Sequence, residues 1–175
     1  MRIDLNSEEL VRKLTLLLGI LFMLPLAAHG QGFSVYGGYS YVHLDSSPNT
    51  ANLNGWDAAF TDNFIPAVGI TADLSGAYGS INGASGSNFH TFMFGPQLRF
   101  PSPVSPFVRG LVGGVHVSGG GVSGTSLAAG FGGGIDIHVS KFLGFRPIQV
   151  DYIHSHFNSY GQDNFRVSIG LVVHF

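Results

Sequence analysis

The residues of this chain best suited to chemistry fall into three groups: a late pair of histidines, a glycine-rich stretch, and a scatter of isolated charges. In Tyr152-Ile-His154-Ser-His156-Phe-Asn158-Ser159 two imidazoles at a spacing of two share one face of an extended strand, which is the beginning of a metal site. Two ligands do not complete one, the sequence implies no third, and no metal or other cofactor is expected. The stretch Gly119-Gly-Gly-Val-Ser-Gly-Thr-Ser126 superficially matches a phosphate-binding loop. That chemistry needs a lysine before the hydroxyl residue and a helix behind it, and neither is here, so the stretch reads as a connecting loop. Asp73, Arg99, Asp136, Gln149, Asp151 and Arg166 stand far apart in the chain. They matter only if the fold gathers them into an enclosure, where an unpaired charge is costly and the groups must pair with one another.

The elements that would position these residues follow from composition and pattern. The chain has 175 residues, 45% of them hydrophobic and 10% charged, with 26 glycines and no cysteine. So little charge is unusual for a surface facing water. Residues 1–30 read as a secretory signal: Arg2, Arg12 and Lys13, an apolar run from Leu14 to Leu24, Pro25, and small residues before a cleavage expected after Gly30. The run is shorter than the roughly 20 residues a spanning helix needs. Residues 31–175 form one domain carrying five basic residues against seven aspartates, a net charge of −2. That balance leaves no basic footprint for nucleic acid. Without cysteine the fold has no disulfides, and no lipid anchor is expected at the cleavage site.

Beyond residue 30, period-two alternation recurs throughout. Val68, Ile70, Ala72, Leu74 and Tyr78 oppose Gly69, Thr71, Asp73, Ser75 and Gly79. Phe165, Val167, Ile169, Leu171, Val173 and Phe175 oppose Arg166, Ser168, Gly170, Val172 and His174. The same reading gives strands at 33–44, 54–62, 67–79, 89–100, 105–118, 126–139, 145–157 and 164–175. The fifth has apolar residues on both faces, and its register stays open. Links at Asp45–Leu53, Ser80–Asn88, Gly119–Thr125 and Asn158–Asp163 are long and those between them tight, the pattern of outer-membrane barrels with short periplasmic turns and longer external loops. Aromatic residues gather near the strand ends as two girdles, with Tyr39, Tyr41, Trp56, Tyr78 and Phe89 at the outer rim and Phe33, Phe60, Phe100, Phe142 and Phe175 at the periplasmic rim. Lipid offers the backbone no hydrogen-bond partner, so such strands must close on themselves. The expectation is an all-β fold, an eight-stranded antiparallel up-and-down transmembrane β-barrel. A soluble sandwich or lipocalin-like barrel, apolar inside and polar outside, is the competing architecture.

The opening Gly32-Phe-Ser-Val-Tyr-Gly-Gly-Tyr-Ser-Tyr, the run Pro-Phe-Val-Arg-Gly-Leu-Val-Gly-Gly-Val from Pro106, the run Gly-Phe-Gly-Gly-Gly-Ile-Asp from Gly130 and the closing Phe-Arg-Val-Ser-Ile-Gly-Leu-Val-Val-His-Phe together resemble the outer-membrane β-barrel domain family that includes the OmpA transmembrane domain. The resemblance spans Gly32 to Phe175 and implies residence in a bacterial outer membrane, with its lipid and the barrel-assembly machinery as partners. It also implies that Ile169, Leu171, Val173 and Phe175 form the assembly signal. No cell-wall-binding domain is expected. The histidine run is similar, in part, to that of small outer-membrane lipid A esterases. There the histidine is followed two residues later by serine and then asparagine; here His156 is followed by Asn158 and Ser159, and no glutamate follows residue 30 to orient a histidine.

If the apolar faces meet lipid, Asp73, Arg99, Asp136, Gln149, Asp151 and Arg166 point into the lumen, with Arg109 as a possible addition and Arg166 toward the outer end. Eight strands leave an interior just wide enough for side chains, although inward Gly130, Gly132 and Gly134 would leave room for water. The expected function is a non-enzymatic structural or surface barrel with at most a narrow pore. A small channel gated by the lumen charges and a lipid A-modifying esterase are the alternatives. The loops nominate no external ligand.

Overall fold

The computed structural model describes residues 32–46, 49–81, 84–119, 122–157 and 160–175. The leader expected over residues 1–30, with its cleavage after Gly30, lies outside them. The described elements are β1 (Phe33–Ser46), β2 (Asn49–Ile65), β3 (Val68–Ile81), β4 (Ala84–Arg99), β5 (Val104–Gly119), β6 (Val122–His138), β7 (Leu143–Phe157) and β8 (Tyr160–His174). Each strand pairs antiparallel with the next and β1 pairs with β8, so the eight form a closed barrel without an edge. The even strand number allows every pair, including the closing one, to be antiparallel. At the end bearing Phe33 and Phe175, the Phe175 amide donates to the Phe33 carbonyl at 2.9 Å and the two rings stack at 4.6 Å.

The strands run farther than their apolar alternation. Pairing continues to Ser46↔Asn49, Ile81↔Ala84, Gly119↔Val122 and Phe157↔Tyr160. The links expected at Asp45–Leu53, Ser80–Asn88, Gly119–Thr125 and Asn158–Asp163 are therefore largely strand, and the barrel extends into four tall hairpins. Ladder hydrogen bonds need no apolar side chain, so pairing begun in the apolar band continues through serine, asparagine and glycine that carry no hydrophobic signal. At the opposite end the turns at 66–67, 100–103 and 139–142 are short.

Alternation sends bulky apolar side chains outward. Ile70, Leu74, Tyr78, Phe92, Phe94, Leu98, Leu127, Phe131, Phe165, Val167, Ile169 and Leu171 are all exposed, whereas Thr71, Asp73, Ser75, Arg166 and Ser168 are buried inside. This inverts the soluble barrel considered above, whose apolar face would be the inner one. Strand β5 resolves in the same sense: Phe107, Arg109, Leu111 and Val115 point inward, and Val104, Val108 and Val112 outward. Phe89, expected in the outer aromatic girdle, instead lies fully inside. It shares parity with Thr91 and Met93, and outward Phe92 and Phe94 leave it no other face.

Candidate functional site

The interior is filled in layers. Toward the hairpin end, Val42, Leu44, Leu53, Phe89, Met93, Leu111, Val115 and Ile153 form an apolar cluster with the alanines Ala51, Ala77 and Ala128. Beneath it lies a charged layer. Toward the termini follow Tyr36, Ala59 and Val172, with Thr61 and Thr71 sharing a 2.9 Å hydrogen bond.

The charged layer is one connected network drawn from six strands. Arg166 on β8 donates through Nη1 and Nη2 to the two oxygens of Asp73 on β3, at 2.9 and 3.1 Å. Its Nε and Nη2 also donate to Asp151 Oδ2 on β7, at 3.1 and 2.9 Å. Arg109 on β5 holds the same carboxylate as a fork, Nε to Oδ1 at 3.0 Å and Nη2 to Oδ2 at 2.9 Å, and its Nη2 lies 2.8 Å from Asp73 Oδ2. Gln149 is the hub: its Nε2 donates to Asp151 at 2.9 Å and to Asp57 of β2 at 2.8 Å, while its Oε1 accepts from Arg146 Nη1 at 2.5 Å. Arg146 in turn forks onto Asp136 of β6 at 2.6 and 3.0 Å, with its guanidinium 4.3 Å from the ring centroids of both Tyr36 and Phe107.

Asp57, Asp73, Asp136 and Asp151 thus face Arg109, Arg146 and Arg166, all of them buried. Burying each ion is expensive, and the multiple short charge-assisted bonds offset that expense. Two atoms are left over. Asp57 Oδ1 lies 3.4 Å from Arg166 Nη1 without forming a hydrogen bond, and Arg109 Nη1 has no partner.

Space for these groups comes from β6. A side chain at Gly132 would run into the Asp151 carboxylate and the Val150 carbonyl, and one at Gly134 would meet the Phe107 ring at 3.0 Å. A Cβ at Gly130 would approach Met93 Cε at 3.2 Å. The inward glycines, expected to leave room for water, instead receive neighbouring side chains.

Of the residues singled out from sequence, the structure brings Asp73, Asp136, Gln149, Asp151 and Arg166 together. Arg166 sits at the centre of the network rather than toward the outer end, because the register sets it directly opposite Asp151. Arg99 does not join. It is the last residue of β4, as His138 and His174 are of β6 and β8, and those two rings stack at 4.7 Å. From that level its guanidinium makes no hydrogen bond or ion pair among the described residues, and its Nε is buried without a partner. Sequence reasoning missed Asp57 and Arg146 and named Arg109 only as a possible addition. The signal for Asp57 was present, since outward Trp56 and Ala58 force it inward. Arg146 was hidden by a bulge: β7 shifts register between Arg146 and Gln149, around Pro147, so both point inward at a spacing of three.

Outside the barrel, His154 Nδ1 lies 2.6 Å from Asp163 Oδ1, which also accepts from Tyr152 Oη at 2.6 Å. A histidine oriented by a carboxylate is half of a hydrolytic constellation. The neighbouring Ser155 is buried on the opposite, inner face, and among the described residues no serine bonds to His154. His156 is exposed on the same outward face as His154, and Asn158 and Ser159 lie outside the described residues.

An antiparallel eight-stranded barrel, apolar outside and packed with paired charges inside, has the architecture of the small outer-membrane barrels. Solved structures share it. Neisserial surface protein A superposes with a TM-score of 0.68 at 16% identity, over 81% of this chain and 96% of that one. Ail, the attachment invasion locus protein of Yersinia pestis, gives 0.59 at 16% identity, over 84% and 100%. The N-terminal barrel domain of Pseudomonas aeruginosa OprF gives 0.57 at 12% identity, over 84% and 100%. At these identities the likeness is one of fold. No protein-family model and no curated protein matches the chain.

Proposed function

We propose that this protein is an integral outer-membrane barrel with a structural or cell-surface role, no enzymatic activity and a closed lumen. The observation that carries the reading is the stacking of two different plugs inside one barrel. An apolar cluster around Phe89 and Met93 lies directly on a densely bonded ion-pair network around Asp151. An ion crossing the lumen would have to displace both. The outward residues support the membrane setting: a contiguous apolar surface this large is a liability in water and a match for lipid. In this orientation both Phe33 and Phe175 lie on the periplasmic side and the hairpins outside.

Planar-bilayer recording of the purified protein tests the closed lumen. The expected result is no unitary current from barrels that show the heat-dependent gel mobility of a closed fold; reproducible single-channel steps would replace this reading with the channel. Among the described residues, the His154–Asp163 pair is the feature that favours an esterase. Mass analysis of lipid A from cells expressing the protein is expected to show no loss of acyl chains.

The outward residues Ile169, Leu171, Val173 and Phe175 on and just beyond β8 are proposed as the signal read by the assembly machinery, being apolar, exposed and alternate.

A further inference from the structure

Each of the four tall hairpins carries a histidine on its outer surface: His43 on β1, His90 on β4, His116 on β5 and His154 on β7. In a tilted eight-stranded barrel a level ring climbs about one residue per strand against the hydrogen-bond ladder. With that correction the register sets all four at one height, just beyond outward Tyr39 and Trp56. His154 is bonded to the Asp163 carboxylate, and His43 Nδ1 lies 2.7 Å from Asn52 Oδ1.

His90 and His116 are different. They are direct partners across the β4–β5 ladder, which brings their Cβ atoms to about 5 Å. Tyr78 of β3 meets the His90 ring edge-on at 5.5 Å, and His116 Nδ1 lies 2.8 Å from Thr125 Oγ1 of β6. The titratable groups facing this pair from β3 to β6 are Tyr78 and the two imidazoles themselves; β2 adds the non-titrating Trp56 indole, whose Nε1 donates to Tyr78 Oη at 3.4 Å. Among the described residues no carboxylate faces either ring. An anion seated between two apposed imidazoles is attracted by positive charge on both rings.

Directly alongside is a groove of about 340 Å³ in the outer surface, bordered by Trp56, Leu74, His90, Phe92, Gly114 and His116. Gly76 allows its wall to form: a Cβ there would lie 2.8 Å from Trp56 Nε1 and 2.9 Å from His90 Nδ1, so both rings lie down over bare backbone. The groove is apolar toward the middle of the barrel, at Leu74 and Phe92, and nitrogen-rich toward the hairpins.

We infer that this groove binds one phosphate-bearing lipid of the surrounding leaflet, with an acyl chain along Leu74 and Phe92 and the phosphate between His90 and His116. The inference rests on the outer-membrane reading above. Charge complementarity selects the occupant: the two imidazoles at the polar end of the groove suit an anion, and Leu74 and Phe92 at its apolar end suit a chain attached to that anion. Imidazoles change charge between about pH 5 and 8. Binding therefore strengthens as pH falls through that range.

The test uses the full-length protein in phosphatidylcholine nanodiscs doped with diphosphorylated lipid A, with bound lipid A counted by native mass spectrometry at pH 5.5 and pH 8. Occupancy is expected to be higher at pH 5.5, with apparent affinity reduced roughly tenfold or more and the pH difference abolished in His90→Asn/His116→Asn. Gly114→Val, which fills the groove and keeps both imidazoles, is a second variant expected to lose the lipid; a Cβ there meets only the Ser126 carbonyl at 3.7 Å. Unchanged occupancy in both variants, or equal occupancy at the two pH values, would overturn the proposal. So would inorganic phosphate displacing the lipid at comparable concentration, which would show a free-anion site. Heat-dependent gel mobility of every variant separates loss of this site from loss of the membrane barrel itself.

Discussion

At the scale of single residues, the interior is governed by the cost of burying a charge, which opposite charges and hydrogen bonds largely offset. Asp151 takes hydrogen bonds from Arg109, Arg166 and Gln149. Asp151→Asn removes the shared negative charge and leaves two buried guanidinium groups to Asp73 and Asp57. Urea unfolding in micelles, followed by Trp56 fluorescence, is expected to show a loss of about 3–5 kcal/mol. Gly132→Val should destabilise for a steric reason, since its side chain and the Asp151 carboxylate compete for one space. Most of these residues could be read from sequence by parity alone. Asp73, Asp151 and Arg166 each lie opposite an apolar face, and Asp57 does too. Arg99 shows the limit of parity: it has the right face but stands at the end of its strand, below the layer where the others meet.

At the scale of elements, alternation describes a strand only while its pairing is regular. The bulge around Pro147 puts Arg146 and Gln149 on one face despite their spacing. Deleting Pro147 restores regular period two with both residues still inward, and the variant is expected to keep heat-dependent gel mobility. Deleting Val150 forces Gln149 and Asp151 onto opposite faces and is expected to abolish it. Strand β8 allows a different check. Removing Phe175, whose ring stacks on Phe33, is expected to lower the amount of protein recovered in the outer-membrane fraction before it alters the stability of the barrels that do assemble.

At the scale of the whole molecule, closure turns eight half-polar strands into a tube with no unpaired edge and a filled lumen. The two plugs lie in series, so neither Phe89→Ala nor Asp151→Asn alone should produce bilayer current, since each leaves the other layer intact. Sequence by itself determined the all-β class, the number of strands and which face of nearly every strand meets lipid, because those are local properties of alternation. Only the tertiary structure decided how far the hairpins rise, that Phe89 caps the charged layer, and that Arg166 finds Asp73 across 93 residues of chain. Which inward groups meet depends on register, on bulges and on the ring closing through β1 and β8. Each of these relates one strand to another, and no single strand encodes them.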